Sequence, residues 1–333
     1  MQKLRIGVIG LGFIGALHAR ILHEIPNAEL VAVADVDEAK ALGVAKRYHC
    51  AGYQAYETMI RSEALDAVSI CSPDPAHMAA ATCAARNGLS ILLEKPVANT
   101  EQQAQAIKNV VEAAGVRMMV AHLLHFDPRY AILKQAAQSG QLGEVIHLHF
   151  RRTNPRTNGR RLGGETSIFW YIGIHDFEMM LACAGSKPTR VYSQQVSKIN
   201  ADIGCEDSVF STVNFANGAL GMVESSWALP QNSALAVNSY AEVVGTKAAG
   251  YVNILDQGIS IYTAEEVLYP DTLHWPEYNG QIQGDLRQEI QHFVDATLGN
   301  QPYVTDTDNA IAAVRVVQAC LRSIRKGLPV VIR

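Results

Sequence analysis

Apolar positions in the first third of this chain follow two alternating spacings. LRIGVI (4–9), ELVAVAD (29–35), DAVSICS (66–72), LSILLE (89–94) and VRMMVAH (116–122) are nearly continuous apolar runs, the pattern of buried strands. Between them the spacing is helical. Ile14, Leu17, Ile21, Leu22 and Ile25 fall on one face, and Pro26 and Asn27 close it. Ala41–Tyr48, PAHMAAATCAARNG and TEQQAQAIKNVVEAAG read the same way, with Gly88 and Gly115 where helix C-caps belong. Such alternation predicts a parallel sheet with helices on both faces.

The pattern changes after about residue 121. EVIHLHFRRTN, TRVYSQQVSKI, DSVFSTVNFANG, ALGMVESSWAL and AEVVGTKAAGYVNI are strand-like, often alternating, and joined by short turns. Asn217-Gly218 between two apolar runs signals a hairpin. Helical spacing is sparser: near 129–139, 167–184, 283–298 and 306–326. The expectation is an α/β N-terminal Rossmann domain with a parallel sheet over residues 1–121. A C-terminal α+β domain follows over 122–333, with a large, mostly antiparallel open sheet and helices on one face. The 306–326 helix is expected to pack back toward the first domain. An open sheet face of this kind suits a second subunit, so a homodimer or homotetramer is expected.

At 333 residues the chain is too long for one typical core. Its net charge of −4 gives no electrostatic reason for nucleic acid. No uncharged apolar run reaches a membrane span. Lys3 and Arg5 before an apolar run resemble a signal peptide, but glycines interrupt that run at a spacing with another meaning. The six cysteines form no C-x-x-C pair, which suits reduced thiols in a cytoplasmic protein.

Gly10, Gly12 and Gly15 stand as G-x-G-x-x-G between a strand and a helix, the setting a dinucleotide fingerprint requires. Gly10 permits the tight turn, Gly12 a close approach of backbone to a pyrophosphate, and Gly15 helix-to-strand packing. The helix N-terminus offers free N–H groups to the phosphates. Asp35 ends the second strand, twenty residues after Gly15. A carboxylate there accepts hydrogen bonds from the adenosine ribose and repels an extra phosphate, so NAD is expected over NADP.

Lys95 follows the strand LSILLE, beside the expected nicotinamide position, and Pro96 fixes the backbone after it. His175 is the best acid/base candidate, since imidazole titrates near neutral pH. Tyr171 lies four residues earlier on the same helical face. Asp176 has three readings: it orients His175, caps a neighbour, or is solvated.

These motifs fall in the order of one family. GLGFIG, Ala34–Asp35, SPDPAH (72–77), Glu94-Lys95-Pro96, GQLGEV, FANGALG and EVVGTKA resemble the Gfo/Idh/MocA oxidoreductases from end to end. The resemblance implies that Gly10, Gly12, Phe13, Ile14 and Gly15 hold the pyrophosphate and Asp35 the ribose. It places Ser72, Pro73 and His77 along the cofactor, and Glu94 and Lys95 beside the nicotinamide ribose. Lys95 and His175 would be the catalytic pair. Many members carry an acid where this chain has Tyr171, which is neutral near pH 7.

The family handles sugars, cyclitols and their derivatives. Five arginines between Arg151 and Arg161 suit an anionic substrate or, equally, a solvated or subunit-pairing loop. Arg152, Asn154, Trp170 and His122 are the candidate substrate contacts. His122 and His125 with Asp127, and His147 with His149, lack a complete ligand set, so no metal is expected. The expected activity is NAD-dependent oxidation of a sugar or cyclitol alcohol. The alternatives are a glycosidase working by transient oxidation and a non-enzymatic dinucleotide sensor.

Overall fold

A computed structural model describes residues 2–162, 166–231, 233, 237–254, 258–265 and 267–332. They form two compact units. One comprises Met1–Leu123 with His274–Ile311, the other Leu124–Leu273 with Ala312–Arg333. The boundary read from the sequence at 121/122 lies beside the first of these divisions. The return of 274–311 to the first unit had no counterpart in that reading.

The first unit is built on six parallel strands: β1 (Leu4–Ile9), β2 (Ala28–Ala34), β3 (Ala51–Tyr53), β4 (Ala67–Ile70), β5 (Ser90–Glu94) and β6 (Met118–Ala121). Their order is β3-β2-β1-β4-β5-β6, so the direction of winding reverses between β1 and β4. In such sheets ligands bind at the carboxyl ends of the strands beside that reversal. The connecting helices are α1 (Phe13–Glu24), α2 (Glu38–Tyr48), α3 (Tyr56–Ser62), α4 (His77–Arg86) and α5 (Glu101–Ala113). Asp37 caps α2 through Lys40 N, and Thr100 caps α5 through Gln103 N. The 274–311 segment is pinned to α1. Arg20 forks both Glu277 carboxylate oxygens, while Glu24 accepts Ile282 N and Arg287 Nη1.

The second unit has a seven-stranded sheet. It contains β7 (Val145–Pro155), β8 (Pro188–Val196), β9 (Ser208–Phe215), β10 (Leu220–Leu229), β11 (Asn238–Gly245) and β12 (Ala249–Asn253), in the order β12-β11-β7-β10-β9-β8, with Val330–Val331 at the β8 edge. All pairs are antiparallel except β7 with β10. The sheet is mostly antiparallel, as the sequence pattern led one to expect, and β7–β10 is its one parallel pair among the described residues. The chain leaves β7 through helices α7 (Arg156–Leu162) and α8 (Ile174–Ala184) before β8 to β10 form, and parallel neighbours need a long connection of this kind. The hairpin at Asn217-Gly218 joins β9 to β10, with Gly218 at φ +89°. α6 (Pro128–Gln138), α8 and part of the Thr307–Lys326 helix bury their apolar sides in this unit's core. On the sheet's outward side Phe210, Leu220, Met222 and Tyr251 are exposed.

No helix among the described residues is long and apolar enough to cross a membrane.

Candidate active site

In the first unit the glycine turn has the features a dinucleotide needs. Gly10 has φ +86°, and a Cβ there would lie 2.7 Å from Ser72 N. A Cβ on Gly15 would lie 1.9 Å from Gly10 O, so α1 packs on the turn with no room for a side chain. A Cβ on Gly12 would meet nothing within 4 Å. Gly12 is the N-cap of α1, without a side-chain cap and without an acid in the first turn. The helix dipole and its first N–H groups thus face open space, which an anion fits. Ile14 lies in that first turn, and Phe13 beside it is 64% exposed, its ring edge-on to Trp275 at 5.5 Å.

Asp35 stands at the end of β2. Its Oδ2 accepts Leu11 N at 2.6 Å and its Oδ1 accepts Asp37 N at 2.9 Å. The carboxylate therefore fixes the turn and still has lone pairs for hydroxyl donors. Ser72 keeps a buried hydroxyl oxygen without a hydrogen-bond partner beside Gly10. Pro73 is exposed at the start of a short 3₁₀ turn. His77 is fully buried and holds the backbone, with Nδ1 at 2.9 Å from Pro96 O and Nε2 at 2.9 Å from Ser72 O. It thus positions the Ser72 and Pro96 turns from below. The Lys95–Pro96 bond is cis. His122, directly after β6, is buried in the same unit.

Glu94 accepts Lys95 N at 3.1 Å and faces His18 Nε2 at 3.4 Å. Burial works against its charge, but the neighbouring His18 and Lys95 hold it below the usual carboxylate range.

The second unit carries the other candidates. A π turn, Phe169–Gly173, precedes α8, so the helix expected over 167–184 is widened at its start. Gly163–Glu165, shortly before that stretch in the sequence, lie outside the described residues. Trp170 is buried, and the Tyr171 hydroxyl accepts Arg161 Nη2 at 3.1 Å. His175 is partly accessible on the first turn of α8. Asp176 is fully buried, and the Arg152 guanidinium grips both its oxygens at 3.0–3.3 Å. Burial pushes the Asp176 carboxyl up while Arg152 opposes it. None of the three sequence readings of Asp176 describes this pairing. Asn154, also buried, follows on the same strand.

Most of the other arginines have neighbours of their own. Arg151 bonds Asn238 and lies over the Tyr240 ring, Arg160 pairs with Asp202, and Arg156 is exposed. One histidine of each candidate pair is likewise engaged. His125 Nε2 bonds both Glu178 oxygens at 2.8–2.9 Å and its Nδ1 meets Lys134 Nζ at 2.8 Å. Asp127 caps α6, and His147 pairs with Glu242.

The sequence reading missed His18 and Glu289, yet both carry a signal. His18 shares the helical face of Ile14, Ile21 and Leu22, and Glu289 that of Leu286, Ile290 and Phe293. A polar residue on an apolar stripe is buried for a reason.

Comparison with known proteins decides the family. Residues 4–122 match the oxidoreductase family with NAD-binding Rossmann fold, and residues 130–250 match the GFO/IDH/MocA C-terminal domain. The chain belongs to the Gfo/Idh/MocA oxidoreductases. It is 29% identical to the scyllo-inositol 2-dehydrogenase (NAD(+)) of Bacillus subtilis, over 99% of this chain and 96% of that one. It is 28% identical to the inositol 2-dehydrogenase of Rhizobium meliloti, over 97% of each. Among solved structures, a putative myo-inositol dehydrogenase from Sinorhizobium meliloti superposes with a TM-score of 0.82. That match has 25% identity and covers 99% of this chain and 100% of the other.

Proposed function

We propose that this oxidoreductase is an NAD-dependent dehydrogenase of a cyclitol or sugar, oxidising a secondary alcohol with Lys95 and His175 at the reacting oxygen. The observation that carries the reading is the first unit's turn: an open Gly12 at an uncapped helix start, opposite a carboxylate that closes β2. The end-to-end match to inositol dehydrogenases supports the substrate class.

The Gly10–Gly15 turn donates backbone N–H groups to the pyrophosphate. Asp35 accepts the ribose hydroxyls and disfavours the added phosphate of NADP. The dinucleotide, when bound, supplies the hydride acceptor. The chain's own residues handle the proton. The Lys95 ammonium donates to the substrate oxygen and stabilises negative charge as it develops there. His175 takes the hydroxyl proton as general base. Tyr171, whose hydroxyl accepts Arg161 Nη2, serves as a hydrogen-bonding group toward the substrate. Asn154, Trp170 and His122 are assigned to substrate contact, while Arg152 acts through Asp176.

The outward face with Phe210, Leu220, Met222 and Tyr251 is assigned to a second copy in a homodimer or homotetramer. Six free cysteines suit the reducing cytoplasm.

The test follows NADH or NADPH formation with inositols, aldoses, uronic acids and sugar phosphates. Turnover with NAD on at least one of them is expected, falling about a thousandfold in Lys95→Ala and His175→Ala. Tight NAD binding without turnover on any alcohol would overturn the reading. Release of sugar from a glycoside without net NADH would replace it.

A further inference from the structure

The first unit holds a group of ionisable side chains under the end of β5 that the proposed reaction does not use. His18 comes from α1, Glu94 from β5 and Glu289 from the Asp285–Leu298 helix. One ligand-type atom from each lies within 4.8 Å of the others. His18 and Glu289 are 0% and 1% exposed, and Glu94 keeps a narrow opening. His18 Nδ1 is bonded to Ser69 Oγ at 2.8 Å. His18 Nε2 and Glu289 Oε2 are buried polar atoms without a hydrogen-bond partner. Nature rarely buries such atoms idly.

We propose that Glu289, together with His18, is a positioning residue for Lys95 and acts on it through Glu94. This rests on Lys95 having the role assigned above. Glu94 precedes Lys95 in the chain and accepts its amide proton at 3.1 Å. Whatever fixes the Glu94 carboxylate therefore fixes the root of the Lys95 side chain and the charge beside it.

Charge settles the arrangement. Two carboxylates this close in a dry interior do not both ionise. Burial, and then the Glu94 charge, push Glu289 well above the usual carboxylate range. Burial also opposes a charged His18, but Cys71 and Glu94 outweigh it and hold the imidazole well above its usual value. These directions favour a charged Glu94 and His18 beside a Glu289 that keeps its proton. The surrounding titratable groups are few. Cys71 lies at the end of β4. Asp74 faces Lys95, His77 and Glu94. Asp285, on Glu289's own helix, is bonded to His274 at 2.9 Å. As pH rises, Glu289 ionises and competes for His18. The freed Glu94 charge then falls on Lys95 and strengthens its hold on its proton.

The test uses the full-length protein without dinucleotide. Competitive acetylation of Lys95 with acetic anhydride, followed by mass spectrometry across pH, gives its titration midpoint. Glu289→Gln copies the neutral acid and cannot ionise. Its Lys95 midpoint is expected to fall by about half a pH unit or more, while the exposed Lys40 and Lys46 stay unmoved. Its kcat at neutral pH stays within about twofold of the parent with KM unchanged, and the alkaline limb of its kcat profile shifts. His18→Asn removes the cation and moves the Lys95 midpoint the other way. An unmoved Lys95 midpoint in both variants, with thermal unfolding like the parent's, would overturn the proposal. So would one equivalent of metal ion bound to the purified protein and lost in Glu289→Gln, since both carboxylates would then be ligands. The labelling needs no turnover, so failure of the dehydrogenase reading shows separately as absent NADH formation.

Discussion

Arg152 and Asp176 form a two-pronged ion pair inside the second unit, at 3.0–3.3 Å and almost without solvent access. The pair ties β7 to the first turn of α8, one residue after His175. Removing one partner strands a buried charge. Arg152→Ala should lower unfolding free energy by about 3–5 kcal/mol, read from urea denaturation. Arg152→Met with Asp176→Leu, which removes both charges and keeps volume, should recover most of that loss. A single variant as stable as the parent would show that water reaches Asp176.

Gly12 and Gly15 belong to the same motif and should fail differently. A methyl on Gly12 points into open space, so Gly12→Ala folds with an unchanged melting temperature but binds NAD at least about tenfold more weakly. A methyl on Gly15 meets Gly10 O, so Gly15→Ala loses about 2–4 kcal/mol of stability before any ligand is added. Differential scanning calorimetry with and without NAD separates the two. Equal NAD affinity in Gly12→Ala and the parent would exclude this turn as the pyrophosphate seat.

These contrasts show what the sequence made legible. The longer strands of the first unit were readable because buried parallel strands are unbroken apolar runs, and the glycine turn because its spacing has a mechanism. β3 has three residues and α3 seven, too few for a period to emerge. The β7–β10 pairing joins strands separated by two helices and two strands, and no local pattern carries that information. Arg152 sits on a strand whose arginines suggested a substrate loop. Only the fold shows that its acid lies on α8. The same holds for the Lys134–His125–Glu178 row, whose members look unrelated in the chain.

Asp35 should govern the choice of dinucleotide. Its carboxylate braces Leu11 and Asp37 at the end of β2, and in the proposed function it faces the adenosine ribose. Asp35→Ser should weaken NAD binding about tenfold through lost hydroxyl acceptors. It should narrow the preference over NADP because the repelling charge has gone. Calorimetric titration with both nucleotides measures this. A preference ratio that stays put would move selectivity elsewhere on the turn.

Glu289 should leave a mark on stability as well as on Lys95. Its folded carboxyl holds its proton well above the usual range because of burial and Glu94. A raised value means that the stabilisation it confers is complete below the unfolded carboxyl's pKa, about 4.3. That stabilisation is lost as pH climbs toward the folded value. Through that window the unfolded chain releases a proton that the folded one keeps, so stability falls by at most about 1.4 kcal/mol per pH unit. Glu289→Gln removes the titration. Its stability relative to the parent should rise with pH above about 5 and level off once Glu289 ionises in the fold. His18, also raised, has the same sign but acts above about 6.5. Urea denaturation of both proteins from pH 5 to 9 reads the difference directly. A constant difference would mean that Glu289 is charged in the folded protein at neutral pH, and Glu94 would then share its site with a second anion.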